Sequence, residues 1–237
     1  MNLLIHTEIP IREGDANLLL AMQAVKQGFN VIIGSKQIIG ELIEKEYIKK
    51  GIYHTKSITH NAQTSEFLRK IKKKNFLITA IDQEHGLLNE NYSNFAKSRI
   101  VKQDLKLIDV FFCWGKKDYN FLQISKNYSK EEKKKFILCG APRVEICKPK
   151  YKFLWGKIKL KKKITIVLNF AFANGKLSPK DIFRRFKKNG FYKRDKSQII
   201  YDKERLKYEK MLMKDFYYLI DYLKKNNNKY DFVLRPH

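Results

Sequence analysis

The sequence predicts an α/β protein: a Rossmann-like parallel sheet in the N-terminal part and an incomplete second Rossmann-like unit after it. Three observations carry this. Short continuous apolar runs, such as NVIIG at 30–34 and FLITAI at 76–81, read as strands buried on both faces. Stretches of helical spacing lie between them, so strand and helix alternate as in βαβ units. The alternation breaks once, in a basic stretch over 148–163, and then resumes.

Taken in order, Asn2–His6 is expected as the opening strand, followed by the loop TEIPIREG. Asp15 is expected as the N-cap of a helix carrying Leu18, Leu19, Met22 and Val25 at helical spacing. Gly28 is a natural stop. Residues 30–34 form the second strand, and 36–50 read as a helix ending at Gly51. A helix closes over 67–74, and strands are expected at 76–81, 110–114 and 136–139, with a helix from Lys116. The segment KPKYKFLWGKIKLKKK holds Pro149 and Gly156 and reads as a domain connection. Beyond it, ITIVL at 164–168 and DFVL at 231–234 are strands, 176–203 is polar and irregular, and 204–225 is an amphipathic helix. The expected organisation is therefore a domain over 1–147, a linker over 148–163 and a partial domain over 164–237.

Composition narrows the class. With 43% hydrophobic and 13% aromatic residues among 237, the chain is not disordered. No apolar run approaches the ~18 residues of a membrane-spanning helix, and the N-terminus lacks the basic and long apolar regions of a signal peptide. The cytoplasm, including the inner membrane face, is the expected location. Three cysteines without CxxC spacing speak against a disulfide framework or a zinc ribbon. The formal charge is +26, with net +5 over residues 1–120 and +21 over 121–237. A basic half attracts anionic partners: nucleic acid, an acidic membrane face or a phosphorylated substrate. Lys outnumbers Arg by 41 to 9, and Arg is the preferred residue for bidentate base and phosphate contacts. Specific nucleic-acid binding is therefore disfavoured, and peripheral attraction to an anionic membrane is the better use of this charge.

Candidate chemistry clusters after the strands, where open α/β sheets bind ligands. The first loop holds His6, Glu8, Arg12, Glu13 and Asp15, giving carboxylates for a general base and a cation for an anion. Asp82, Gln83, Glu84, His85 and Gly86 follow FLITAI, an acidic turn that is equally an ordinary polar turn. Gly140-Ala141-Pro142-Arg143 sets an arginine on a fixed turn. Asn169 and Asn174 bracket a turn after the first strand of the second half, and Arg235 and His237 close the chain. No dinucleotide fingerprint, phosphate-binding P-loop, serine-hydrolase elbow or HExxH motif is present.

Together the segments 8–36, 51–57, 80–88, 111–118, 140–146, 169–175 and 232–237 resemble, in order, the surface carbohydrate biosynthesis protein family. These bacterial proteins are related to capsule and lipopolysaccharide glycosyltransferases of GT-B fold. The resemblance implies two Rossmann-like domains, an acceptor side followed by a nucleotide-sugar donor side, with no bound cofactor or metal. It implies transfer from a nucleotide-activated sugar to a carbohydrate or lipid-linked acceptor. Asp15, Glu8 or Glu84 would be the base. Arg12, Asp82, Gly86, Arg143, Asn169, Asn174, Arg235 and His237 would bind substrate. Ala141 stands where the family's G-N-P-R turn has Asn, and His85 is an extra residue in its acidic turn. The proline and glutamate that follow R-P-H in the family are missing after His237, so a C-terminally truncated or split transferase is expected, and an inactive fragment is one form it can take. Rival expectations are a basic binding module for nucleic acid or anionic membrane, and another GT-B enzyme such as a sugar-nucleotide epimerase or polyol-phosphate transferase.

Overall fold

The computed structural model describes every residue except 59–61, 85–95, 97–98, 156–162, 169, 171, 175–176, 189–196, 227–229 and 236–237. The chain divides into two compact units, Met1–Gly156 and Lys157–His237.

The first unit is a six-stranded sheet. Its strands are β1 (Asn2–His6), β2 (Asn30–Gly34), β3 (Ile52–Thr55), β4 (Leu77–Ile81), β5 (Val110–Cys113) and β6 (Phe136–Leu138). They lie in the order β2-β1-β3-β4-β5-β6, and every neighbouring pair is parallel. The helices are α1 (Pro10–Lys26), α2 (Lys36–Glu44), α3 (Ala62–Lys73), α4 (Lys102–Leu105), α5 (Lys116–Ile124), α6 (Lys130–Lys134) and α7 (Pro142–Glu145). This is a Rossmann-like, doubly wound arrangement whose order reverses between β1 and β3. Right-handed crossovers on either side of that reversal put α1 on one face and α2 and α3 on the other. The main core lies on the second face. There Leu4, Tyr53, Ile78 and Phe111 of the strands meet Ile39, Ile43, Leu68 and Ile71 of α2 and α3. At ~25 cal/mol per Å², burying such side chains is the largest favourable contribution to the unit's stability.

Two glycines set the geometry. Gly28 has φ +83° and ends α1 in the left-handed conformation that closes many helices. At Gly51 a Cβ would stand 2.5 Å from the Asn2 carbonyl oxygen, so only glycine lets β3 start this close to β1.

The first helix differs from its sequence expectation. It starts at Pro10, not after Asp15, and Ile9 is the N-cap without a side-chain cap bond. Proline at the first helical position needs no N–H partner there and has its φ already helical. Asp15 is an exposed residue inside the helix. The side that packs on the sheet carries Glu13, Ala16, Asn17 and Ala21, whereas Leu18, Met22 and Val25 are exposed. The second helix also ends early, at Glu44, because Glu46 turns the chain at φ 59°. Strand β3 has no counterpart in the sequence reading. Within the stretch expected as linker, Pro149–Trp155 is a 3-10 helix.

The second unit holds β7 (Lys163–Val167) parallel to β8 (Asp231–Arg235), with α8 (Pro179–Lys188) and α9 (Ser197–Asn226) between them. Helix α8 and the first turns of α9 lie within the segment expected to be irregular over 176–203. Ser178 caps α8, accepting from the Asp181 amide at 3.2 Å and donating to its carboxylate at 2.7 Å. Phe170 and Phe172 are buried in the turn after β7. Among the described residues no helix is long and apolar enough to cross a membrane.

Candidate functional site

Parallel strands deliver their C-terminal ends to one edge of the sheet. In the first unit these ends carry His6, Thr7 and Glu8 after β1, Lys56 and Ser57 after β3, and Asp82, Gln83 and Glu84 after β4. The first turn of α1 adds Arg12 and Glu13.

These groups form one network of ion pairs. Lys56 Nζ donates to Glu8 Oε2 and lies 3.7 Å from Glu13 Oε1. Arg12 donates to Glu13 at 3.0 Å and pairs with Glu84 Oε1 at 3.1 Å. Arg99 grips Asp82 with two bonds of 2.6 Å and reaches Glu84 Oε2 at 3.2 Å. Such two-pronged arginine–carboxylate pairs fix orientation as well as charge. Glu13 and Asp82 are fully buried, so their cations offset a large desolvation cost. Glu13 also accepts the Glu8 amide at 3.0 Å, which ties the loop after β1 to α1. Arg143, in α7, donates to the Gln83 carbonyl at 2.6 Å and brings the turn after β6 to the same place.

Beside the network, between the ends of β1 and β3, is a cleft of about 490 Å³. Tyr53 and Phe67 give it an apolar side, and their rings meet edge-on at 5.5 Å. Ser35 and Lys36 open α2 into it, and Gln63 and Thr64 do so from the start of α3. His6 also lines the cleft, and its buried Nδ1 has no hydrogen-bond partner among the described residues. Burial, aided by the Lys56 charge, pushes the His6 imidazole down to about 4, so it is neutral near pH 7. The hydrogen bond from Lys56 holds the Glu8 carboxyl below its usual range.

Glu8, Glu84, Arg12 and Asp82 thus meet in one network, and Arg143 joins it through the Gln83 carbonyl. Asp15 does not. It lies in a smaller pocket with Leu18, Leu19, Met22 and Leu154. Gly86, Asn169 and His237 lie outside the described residues, as does His85. In the second unit, Arg235 ends β8 and pairs in register with Val167. The turn holding Asn174 is fixed by the buried Glu209 of α9, which accepts the Phe172 and Ala173 amides at 2.8 and 3.2 Å. Arg205 in turn donates to Glu209 at 2.8 Å and stacks over the Phe172 ring. Lys56 and Arg99 are the residues the sequence reading missed. Lys56 stands between Thr55 and Ser57 and Arg99 between Ser98 and Ile100, with no motif around either, and only long-range pairing gives each a role. Among the described residues no group of His, Cys, Asp and Glu side chains is arranged to hold a metal ion.

No protein-family model, curated protein or solved structure matches this chain.

Proposed function

We propose that the chain is a glycosyltransferase-like protein of bacterial surface polysaccharide assembly, transferring a sugar from a nucleotide-activated donor to a carbohydrate or lipid-linked acceptor. One observation carries the proposal. The loop after β1, the acidic turn after β4 and the arginine turn after β6, which hold three of the segments behind the family resemblance, are joined by the Arg12–Glu84 ion pair and by the hydrogen bond from Arg143 to the Gln83 carbonyl, beside a cleft where the strand order reverses. In the full form of this reading the first unit is the acceptor side, and the second, with β7 and β8, belongs to a donor-side Rossmann-like domain.

The chemistry asked of the site is attack by an acceptor hydroxyl on the anomeric carbon as the nucleotide leaves. A carboxylate takes the hydroxyl proton. Glu8 and Glu84 are the candidates at the cleft, because both line it and both remain partly exposed, at 57% and 43% of the side chain. Arg12 and Arg99 hold the two oxygens of Glu84, which fixes its position. Asp15, the third carboxylate of the sequence reading, lines a different pocket.

The test is turnover of a panel of nucleotide sugars by the 237-residue chain, read as nucleotide release with and without carbohydrate acceptors. Glu8→Gln or Glu84→Gln is expected to lower the rate by about 10²–10⁴-fold, the usual contribution of a positioned base. Wild-type rates in both variants would overturn the assignment. Binding to RNA or anionic vesicles that falls steeply with salt, with no response to any nucleotide sugar, would favour a basic binding module.

A further inference from the structure

We propose that the cleft between β1 and β3 binds a phosphate ester: a small sugar or polyol bearing a phosphate. This names the chemical class of the acceptor and rests on the reading above. Its test needs no donor, so the two can fail separately.

The cleft, at about 490 Å³, has the size of a small-molecule site. Its charges are not all balanced by the described residues. Lys56 is shared by Glu8 and Glu13, and Arg99 by Asp82 and Glu84. Lys36 is different. Its ammonium lies 5.8 Å from the Phe67 ring centre, and no described carboxylate pairs with it. It is also the first residue of α2, where the helix dipole already presents positive charge. A cation there is of the wrong sign unless an anion comes between. Neither α2 nor α3 carries an acidic residue in its first turn, although both open on the cleft.

A second feature of the cleft is independent of charge. His6 lines the cleft, and its buried Nδ1 has no partner among the described residues, which leaves an unmet hydrogen-bonding group in the cleft wall. The Lys36 and Lys56 charges both act on that imidazole, which places a neutral ring beside two cations. Ser35, whose hydroxyl caps α2, and Thr64 line the same cleft. The half-buried Phe67 ring, backed by Tyr53, supplies apolar area for the carbon skeleton of a sugar or polyol. A phosphate on a short polyhydroxy compound answers all of these at once: charge for the lysines, oxygens for the helix amides and hydroxyls, carbon for the rings.

The phosphate can come from a soluble ester or from a lipid headgroup, and the experiment separates them. Calorimetric titration of the full chain uses glycerol 3-phosphate and glucose 6-phosphate, with glycerol and glucose as unphosphorylated controls. A parallel arm uses phosphatidylcholine vesicles with and without phosphatidylglycerol. Lys36→Gln is the test variant, since its ammonium takes no part in the ion-pair network. Lys70→Gln, on the outer side of α3, controls for general charge. Saturable binding of the esters but not the controls, weakened at least tenfold by Lys36→Gln and under twofold by Lys70→Gln, is the expected result. The same Lys36 effect seen only with phosphatidylglycerol vesicles assigns the phosphate to a lipid. No binding of either ester or vesicle, or equal weakening by the two variants, overturns the proposal.

Discussion

His6 and His54 are two imidazoles held without charge. Burial pushes each down to about 4 from an ordinary value of 6.5. For His6 the Lys56 charge acts in the same direction, while Glu8 and Glu13 oppose it. His54 is set in β3, with Nδ1 2.8 Å from the Thr79 hydroxyl of β4. Between pH 6.5 and 4 the unfolded chain binds protons that the folded chain refuses. Stability is therefore fully present above 6.5 and falls as pH drops through that window, by up to about 3 kcal/mol for each histidine. Glu8 adds its own loss only below its ordinary range, because Lys56 keeps its folded-state value low. Urea unfolding followed by circular dichroism should show a midpoint that declines from pH 7 to 4.5. His54→Asn, which keeps a group near the Nδ1 position without the titration, should flatten the decline. A midpoint that does not move with pH would refute the account of both histidines.

Helix α1 shows what a sequence reveals at the scale of an element and what it hides. Its existence was legible from the spacing of Leu18, Leu19, Met22 and Val25. Its start was not, because TEIPIREG reads as a loop with Asp15 as the cap, whereas proline in a first turn is a starter. Nor was its buried side. The strands bring the backbone close, so Ala16 and Ala21 pack on the sheet and the larger Leu18 and Met22 stay outside. Asn17 seals the contact with a 2.7 Å bond to Thr7. Strand β3 escaped notice for a related reason. Its His54 and Thr55 are polar yet buried, so the IYHT run lacks the continuous apolar pattern of the other strands. Most elements could be read because burial leaves a local pattern. The network of Lys56, Arg99 and Arg143 could not, because each partner is distant in sequence. The α1 geometry separates two carboxylates that the sequence treats alike. Asp15→Ala should change stability by no more than about 0.5 kcal/mol, as for an exposed residue without a cap role. Glu13→Ala takes one of two carboxylates from Lys56 and from Arg12, leaving Glu8 and Glu84, and frees the Glu8 amide, and should cost about 1.5–3 kcal/mol. Equal losses near 1 kcal/mol for Asp15→Ala would restore the N-cap reading.

At the scale of the whole molecule the two units are built to different standards. The first closes six strands over a core in which Leu4, Ile5, Ile39, Leu68 and Ile78 have no solvent contact at all. The second has two paired strands, and Phe170 and Phe172 are its buried apolar residues among those described. A two-stranded ribbon is marginal without a covering layer. Helix α9, about 45 Å long at 1.5 Å per residue, leaves Tyr201, Tyr208, Tyr217, Tyr218 and Tyr222 exposed. What fixes this unit most firmly is polar: Glu209 holding two loop amides, with Arg205 behind it. Local opening should therefore be easier here than in the first unit. Native-state hydrogen exchange is expected to show β1, β3 and β4 amides opening only at the free energy of global unfolding of their unit, and β7 and β8 amides at several kcal/mol less. Glu209→Gln keeps the size of the side chain but removes its charge, and should accelerate exchange at Phe172 and Ala173 by at least tenfold while leaving β1 and β4 unchanged. Equal protection in both sheets would mean that an apolar covering layer, and not this carboxylate clamp, stabilises the second unit.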